Sequence, residues 1–410
     1  MEKDGELLPG SQCFLGLLCD GIHNRQTAFV IEQLQSLSRE ELTQLMHLSK
    51  LHNLPLVGEQ ICRVLGRDTA AKGFREDLIK IMGIQANATQ RLLFLLKELE
   101  HNGIPALVVK GVVCRSLYPI PELRPSTDED VYVEPEYTQR AEEVLKALGF
   151  VRAEGENPNS AVHTWSSGVL RVELHSGLLE DGGVPQIIPK ELFDDSMSRR
   201  IYISFDGHLI PTLSHQEHFL YLILHYYKHF LSGGIGIRQI SDICLYAQKY
   251  EGEISWTDVW QTLKTMSLDR LVWNLRDIGI RYLGMEETYM PCGPVEYPPD
   301  SLDLLMDTLD AGVFGSSTVE RKHSSNMTIR AAKKGSKKPG GICAALFLPA
   351  KDLKGRFSYL EKHPWLLPIA WCSRVFGYFK EGKNVAGRAS RSADIGQRRL
   401  ELMEKYGLLE

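Results

Sequence analysis

Apolar positions between Thr27 and Leu99 recur every three or four residues, as in Phe29, Ile31 and Leu34, then Leu92, Leu93, Leu96 and Leu99. That period predicts amphipathic helices. It stops at Asn102-Gly103, where Ile104-Pro105-Ala106-Leu107-Val108-Val109 forms a short apolar run ending at Lys110-Gly111, the pattern of a buried strand and a tight turn. Val112 to Tyr118 reads as a short helix ended by Pro119 and Pro121. Asp128 to Val133 alternates as a strand does, Pro135 to Gly149 is an amphipathic helix closed by glycine, and Val169 to Leu174 is a further strand. The expected order from Ile104 to His175 is therefore strand, helix, strand, helix, strand.

A hairpin is expected near Ile201 to Ile210. Helical periodicity then runs from His215 to about Leu283, interrupted by the loop Ser232-Gly233-Gly234-Ile235-Gly236. Arg321 to Gly341 is rich in Lys, Gly and Ser and reads as a flexible basic loop. Ala344 to Glu410 reads as helical with Trp365, Trp371 and Phe376 as aromatic anchors. These patterns predict an α+β fold: a small mixed sheet over residues 100–211 embedded in a mainly helical protein. A helical region over 1–99 would precede it. A helical domain over 212–318, a basic loop over 319–342 and a helical region over 343–410 would follow.

Composition adds little. A net charge of -5 gives no overall attraction to nucleic acid or an anionic membrane. The start MEKDGELLPG is acidic and lacks a secretory signal, and no stretch has the apolar length of a membrane span, so a cytoplasmic protein with no membrane partner is expected. The eight cysteines are dispersed without a C-x-x-C pair, which argues for reduced, mostly buried thiols over a disulfide framework or zinc site.

The strongest chemical signal is Asp128-x-Asp130. Alternate residues of a strand share a face, so the two carboxylates lie side by side and repel unless a cation separates them. Hard divalent ions take oxygen ligands and keep positions open for phosphate oxygens. Glu173 sits in Val172-Glu173-Leu174-His175, whose apolar neighbours imply a buried strand and an uncommon position for a carboxylate.

The runs Gly103-Ile104-Pro105 to Val109-Lys110-Gly111, Leu117-Tyr118-Pro119, Arg124-Pro125, Asp128-Glu129-Asp130 and Val172-Glu173-Leu174-His175 resemble the bacterial uncharacterised nucleotidyltransferase family, a branch of the DNA polymerase β-like superfamily. The resemblance extends through His225, Lys228-His229 and Arg238 to Asp242, then Gly312 to Gly315 and Tyr359 to Arg374. It implies a nucleotidyltransferase core in which Asp128, Asp130 and Glu173 are both catalytic and metal-binding. Asp128 and Asp130 would hold Mg²⁺ (or Mn²⁺) with the triphosphate, and Glu173 would complete a second metal position and help deprotonate the attacking hydroxyl. The implied reaction moves an NMP group from an NTP, ATP being the first choice, to a hydroxyl on an unidentified small molecule or protein. A catalytically inactive nucleotide-binding protein of this fold, or a toxin-antitoxin-type enzyme acting on nucleic acid, are the alternatives.

The superfamily commonly has Gly-Ser after its first strand, whereas this chain has Lys110-Gly111. Lys110 would supply a point charge to the phosphates in place of the hydroxyl, and Gly111 would let backbone amides approach them. Arg124 either grips phosphate oxygens or pairs with Asp128 or Asp130. His175 shares Glu173's face. His225, Lys228 and His229 share one side of a helix, either as a substrate-side set or as packing and capping residues. Arg238 and Asp242 form a helical i, i+4 match. The cluster Arg321 to Lys338 and the group Arg388, Arg391, Arg398 and Arg399 lack interleaved aromatics, so nucleic acid is disfavoured as a partner.

Overall fold

The computed structural model describes residues 2–3, 6–66, 69–156, 160–179, 188–291, 299–313, 321, 324, 357, 359–360, 363–380 and 385–408. The chain divides into two compact units, one of Met1–Tyr226 with Ile237–Leu302 and one of Tyr227–Gly236 with Asp303–Glu410.

The first unit opens with a two-residue ladder, β1 (Glu2–Lys3) and β2 (Glu6–Leu7), and five helices: α1 (Pro9–Ile22), α2 (Ala28–Ser36), α3 (Arg39–Leu51), α4 (Pro55–Leu65) and α5 (Thr69–His101). The period-3.6 pattern thus holds, but its inward stripe differs in places. In α2 it is Val30 and Leu34 that are buried, while Phe29 is 65% exposed. In α5 the buried line is Leu92, Leu95 and Leu99. Ser38 caps α3 through a reciprocal box with Glu41, which satisfies two of the amides orphaned at a helix start.

The central sheet is mixed and five-stranded. Its strands are β3 (Leu107–Val108), β4 (Glu129–Tyr132), β5 (Val151–Arg152), β6 (Val162–Ser167) and β7 (Leu170–His175), in spatial order β3-β4-β7-β6-β5. Strand β4 runs parallel to β7 and antiparallel to β3, and β7-β6-β5 is an antiparallel meander. Helices α6 (Gly111–Arg115) and α7 (Thr138–Ala147) lie between the first strands. The simple alternation expected from the sequence lacked β5 and β6. Strand β6, Val162-His163-Thr164-Trp165-Ser166-Ser167, carries polar residues on both faces, so it has no apolar period to read, although His163, Thr164 and Trp165 are all buried.

Hairpin β8 (Ile201–Phe205) and β9 (His208–Thr212) turns at Asp206-Gly207, both with positive φ as a tight primed turn needs. Thr212 Oγ1 donates to the Val108 carbonyl at 2.6 Å and fixes the hairpin against the edge of the sheet. Helices α8 (His215–Ser232), α9 (Ile237–Lys249), α10 (Trp256–Thr265) and α11 (Asp269–Tyr282) follow. Helix α9 is buried from Ile237 through Ala247, which suits its all-round contacts.

The second unit holds the last turns of α8, the glycine loop, α12 (Leu302–Ala311), α13 (Leu367–Lys380) and α14 (Val385–Lys405). Gly234 has φ +102, and a Cβ there would lie 2.5 Å from Arg321 Nη2, so this position needs glycine. Arg321 donates to the Gly233 carbonyl and pairs with Asp307 at 2.6 Å, while Arg399 is buried and donates to the Phe230 carbonyl. Two arginines of the basic clusters are therefore internal fasteners. Most of the expected basic loop, Cys292, Cys343 and the Phe376 side chain lie outside what is described. Trp365 is 73% exposed and does not anchor the tail as its sequence suggested. Among the described cysteines none forms a disulfide, and no described helix is long and apolar enough to cross a membrane.

Candidate functional site

The tripeptide Asp128-Glu129-Asp130 leads into β4, between β3 and β7, and the two-residue period of the strand sends its acids to opposite sides. On one side Glu129 is fully enclosed. Its Oε1 accepts from Arg115 Nη2 at 2.8 Å and its Oε2 from the Val112 amide at 2.7 Å. Arg115 is itself buried and donates to Thr89 Oγ1 of α5 at 2.7 Å. Burial raises the Glu129 pKa above the ordinary glutamate value, against the pull of Arg115 and the Val112 amide. Gly111 has φ +37, and an added Cβ would fall 1.8 Å from Glu129 Oε2. The glycine that the sequence offers for phosphate approach is thus the place where Glu129 comes in, and the Val112 amide is already taken.

On the other side lie Asp128 and Asp130. Lys110 Nζ is 2.6 Å from Asp130 Oδ2, 4.0 Å from Asp128 Oδ1 and 3.2 Å from His225 Nε2 of α8. The parallel register sets Asp130 directly beside Glu173 and Tyr132 beside His175, so the strand acid of β7 and its histidine share this face. His175 Nε2 is 3.2 Å from Asp130 Oδ1 and 3.9 Å from Glu173 Oε2, and Arg171 Nη2 is 3.9 Å from Glu173 Oε1. Ligand atoms of Asp130, Glu173 and His175 all lie within 4.8 Å of one another.

The electrostatics separate these acids. Burial works against the Asp130 carboxylate, but Lys110 and the His175 hydrogen bond hold its pKa well below the usual aspartate range. Glu173 has the reverse balance: burial, then Asp130 and Asp128, push it up to about 7 despite Lys110 and His175. Burial disfavours the Lys110 charge, yet Asp130 and Asp128 keep its pKa above the ordinary lysine value. Three carboxylates crowd one ammonium, with Arg171 near Glu173, and after burial their mutual repulsion is what raises Glu173.

The remaining sequence candidates fall in two groups. Arg124 is buried and held by Asp242, with Nη2 at 2.5 Å from Oδ2 and Nε at 3.1 Å from Oδ1, and Nη1 donates to Ser126 Oγ at 3.0 Å. Tyr118 Oη donates to the same Asp242 at 2.8 Å. Arg124 therefore pairs neither with Asp128 nor with Asp130. Arg238 donates to the Pro125 carbonyl at 2.8 Å, and the Asp242 that the i, i+4 spacing matched to it is taken up by Arg124 and Tyr118. His225 joins the acidic cluster through Lys110, whereas Lys228 and His229, one turn later, belong to the second compact unit. Glu129 and Arg115 belong to no motif of their own; the signal for Glu129 is the unbroken run of three acids on a strand, whose middle member has to face the opposite way.

Residues 36–282 match the family described as uncharacterised nucleotidyltransferase. The chain belongs to that family. The match covers the helices from α3, the whole central sheet and α8 to α11, and so contains every residue of the cluster. It ends before the resemblances at Gly312 to Gly315 and Tyr359 to Arg374. No match was found among curated proteins or among solved structures.

A nucleotidyltransferase family implies a divalent metal, and the donor set fits one. Asp130 and Glu173 offer hard carboxylate oxygens, His175 a nitrogen, and the uncompensated negative charge on this face is what a cation would neutralise.

Proposed function

We propose that this nucleotidyltransferase moves an NMP group from an NTP, with ATP the first choice, to a hydroxyl on a small molecule or protein, using Mg²⁺ or Mn²⁺ held by Asp128, Asp130 and Glu173. The single observation that carries the reading is the register of β4 against β7, which puts Asp130 beside Glu173 on the face where Asp128 and Lys110 also meet. His175 belongs with the metal-holding acids in this reading, because its Nε2 already touches Asp130.

When bound, the metal would supply charge to offset that building up on the triphosphate in the transition state. The chain's own residues do the rest. Asp130 stays ionised at neutral pH because Lys110 and His175 favour its charged form. Burial and the neighbouring acids push Glu173 up to about 7 in the metal-free chain, and a bound cation would draw it down to the carboxylate form that could take the proton from an acceptor hydroxyl. Lys110 offers the charge for the phosphates that the superfamily's serine would otherwise meet with a hydroxyl. His225, beside Lys110, would serve on the substrate side.

A second reading, nucleotide binding without transfer, uses the same site. In both readings the nucleotide has to displace existing partners, since Lys110 is engaged by Asp130, the Val112 amide by Glu129 and Arg124 by Asp242. Titration calorimetry with ATP, GTP, CTP and UTP, in Mg²⁺ and in Mn²⁺, tests both. At least one nucleotide binds the native chain with metal, and Asp130→Asn abolishes that binding. If none of the four binds, the enzyme reading and the binding reading fall together; binding without transfer of α-phosphate label to any acceptor leaves the second.

A further inference from the structure

The ammonium of Lys110 stands where a metal ion would have to come. A divalent ion of the magnesium type sits about 2.0–2.1 Å from its carboxylate oxygens and tolerates little distortion. Asp130 Oδ2 already has Lys110 Nζ at 2.6 Å, and Oδ1 of the same carboxylate faces His175 Nε2 at 3.2 Å. Asp130 is only 2% exposed, so no other side of this carboxylate is open to water. A doubly charged ion bound there and an ammonium touching the same carboxylate would repel one another strongly in so enclosed a place.

We infer that Lys110 is an exchangeable counter-cation: it holds the acidic cluster together while metal is absent and has to leave Asp130 for metal to bind. This rests on the metal-dependent reading above. The side chain has the means. It springs from the residue that precedes helix α6, its four-carbon stem is flexible, and its outward neighbours are the more exposed Asp128 at 4.0 Å and His225 at 3.2 Å. His225 Nε2, 3.2 Å from the ammonium, steadies Lys110 when it accepts that hydrogen bond.

Metal alone must displace an ammonium that then has Asp128, His225 and solvent to go to but no second full carboxylate contact, so it binds weakly. Metal arriving with a triphosphate brings phosphate oxygens that receive the ammonium, so the two bind in a coupled way. The lysine that replaces the superfamily's serine thereby makes metal loading depend on nucleotide, and an idle site is kept from holding a bare ion.

The test is Mn²⁺ titration of the full chain, followed by the electron paramagnetic resonance signal of free Mn²⁺, without nucleotide and with a non-hydrolysable α,β-methylene ATP. Lys110→Met, close in volume, binds Mn²⁺ without nucleotide roughly tenfold or more tightly than the native chain, because the competing charge is gone. Its Mn²⁺ affinity then rises little on adding nucleotide, whereas the native affinity rises markedly. Lys110→Gln, which keeps a polar contact to Asp130, moves the same way and replaces the Met variant if circular dichroism shows that one misfolded. Mn²⁺ binding that is equal or weaker in both variants overturns the exchange while leaving the metal site standing. Absence of Mn²⁺ binding in the native chain and in both variants overturns the exchange together with the metal-dependent reading.

Discussion

The two faces of the central sheet treat the same kind of residue in opposite ways. Glu129 and Asp130 are neighbours on one strand, both only 2% exposed. Glu129 meets a full set of fixed donors, one guanidinium and one backbone amide, and its partner Arg115 is anchored in turn on Thr89 of α5. Asp130 meets a flexible ammonium and an imidazole, with two further carboxylates nearby. In the first arrangement both carboxylate oxygens are closed by short contacts to fixed donors. The second carries more negative charge than its partners neutralise. Buried charge that is fully partnered marks the scaffold, and buried charge that is over-supplied marks the place where a ligand completes the structure.

The sharpest way to break this comparison is on the closed face. Arg115→Ala leaves Glu129 buried without its counter-charge and opens a void in the core. Loss of one member of such a pair is expected to destabilise by about 3–5 kcal/mol. Urea unfolding followed by tryptophan fluorescence measures it, and a change below 1 kcal/mol, roughly the worth of a surface pair, would show that the pair is not closed as described.

A smaller effect is expected at Gly111. Alanine there meets both the positive φ and the Glu129 carboxylate, so Gly111→Ala should destabilise by roughly 1–3 kcal/mol. If the loss persists in a Gly111→Ala, Glu129→Ala double variant at its single-variant size, the two sites are independent and the clash is not its cause. Coupling between them is the expected outcome.

On the open face the sign reverses. Glu173 has a folded pKa of about 7, above the ordinary 4.5. Below 4.5 both folded and unfolded forms are protonated and nothing is lost. As pH rises from 4.5 to 7 the unfolded chain releases a proton that the folded one retains, so stability falls, and above 7 the deficit stays. Glu173→Gln in EDTA should therefore stabilise the chain by on the order of 1–2 kcal/mol at pH 8, after allowing for the screening of a carboxylate not wholly enclosed, and by much less at pH 5. Thermal melts at the two pH values decide it. A destabilised Glu173→Gln at pH 8 would mean that this acid belongs with Glu129 as a structural group.

Much of this protein was legible before folding. The three-and-four spacing marked the helices of both halves, and the Gly103 break and the Ile104 to Val109 run placed the first strand. The alternation in Asp128-Glu129-Asp130 put Asp128 and Asp130 on one face by geometry alone, since strand period is a local property of the backbone. The resemblance carried by the same runs named the family that residues 36–282 match. Strand β6 escaped because its burial comes from helices packed over polar side chains, as in His163 against Glu142 of α7 and Lys146 over the Trp165 ring, and no local period records that.

Tertiary structure alone decided who meets whom. Arg124 and Asp242 are 118 residues apart and Lys110 and His225 are 115 apart, and nothing in their local sequence tells an arginine meant for phosphate from one meant for an aspartate on α9. The alignment of Asp130 with Glu173 depends on the register of β4 against β7, where a slip of one residue would send Glu173 to the Arg115 side of the sheet. Local sequence sets the face a side chain takes on its own strand. The charge, distance and enclosure around it come from segments far along the chain, which only packing brings together.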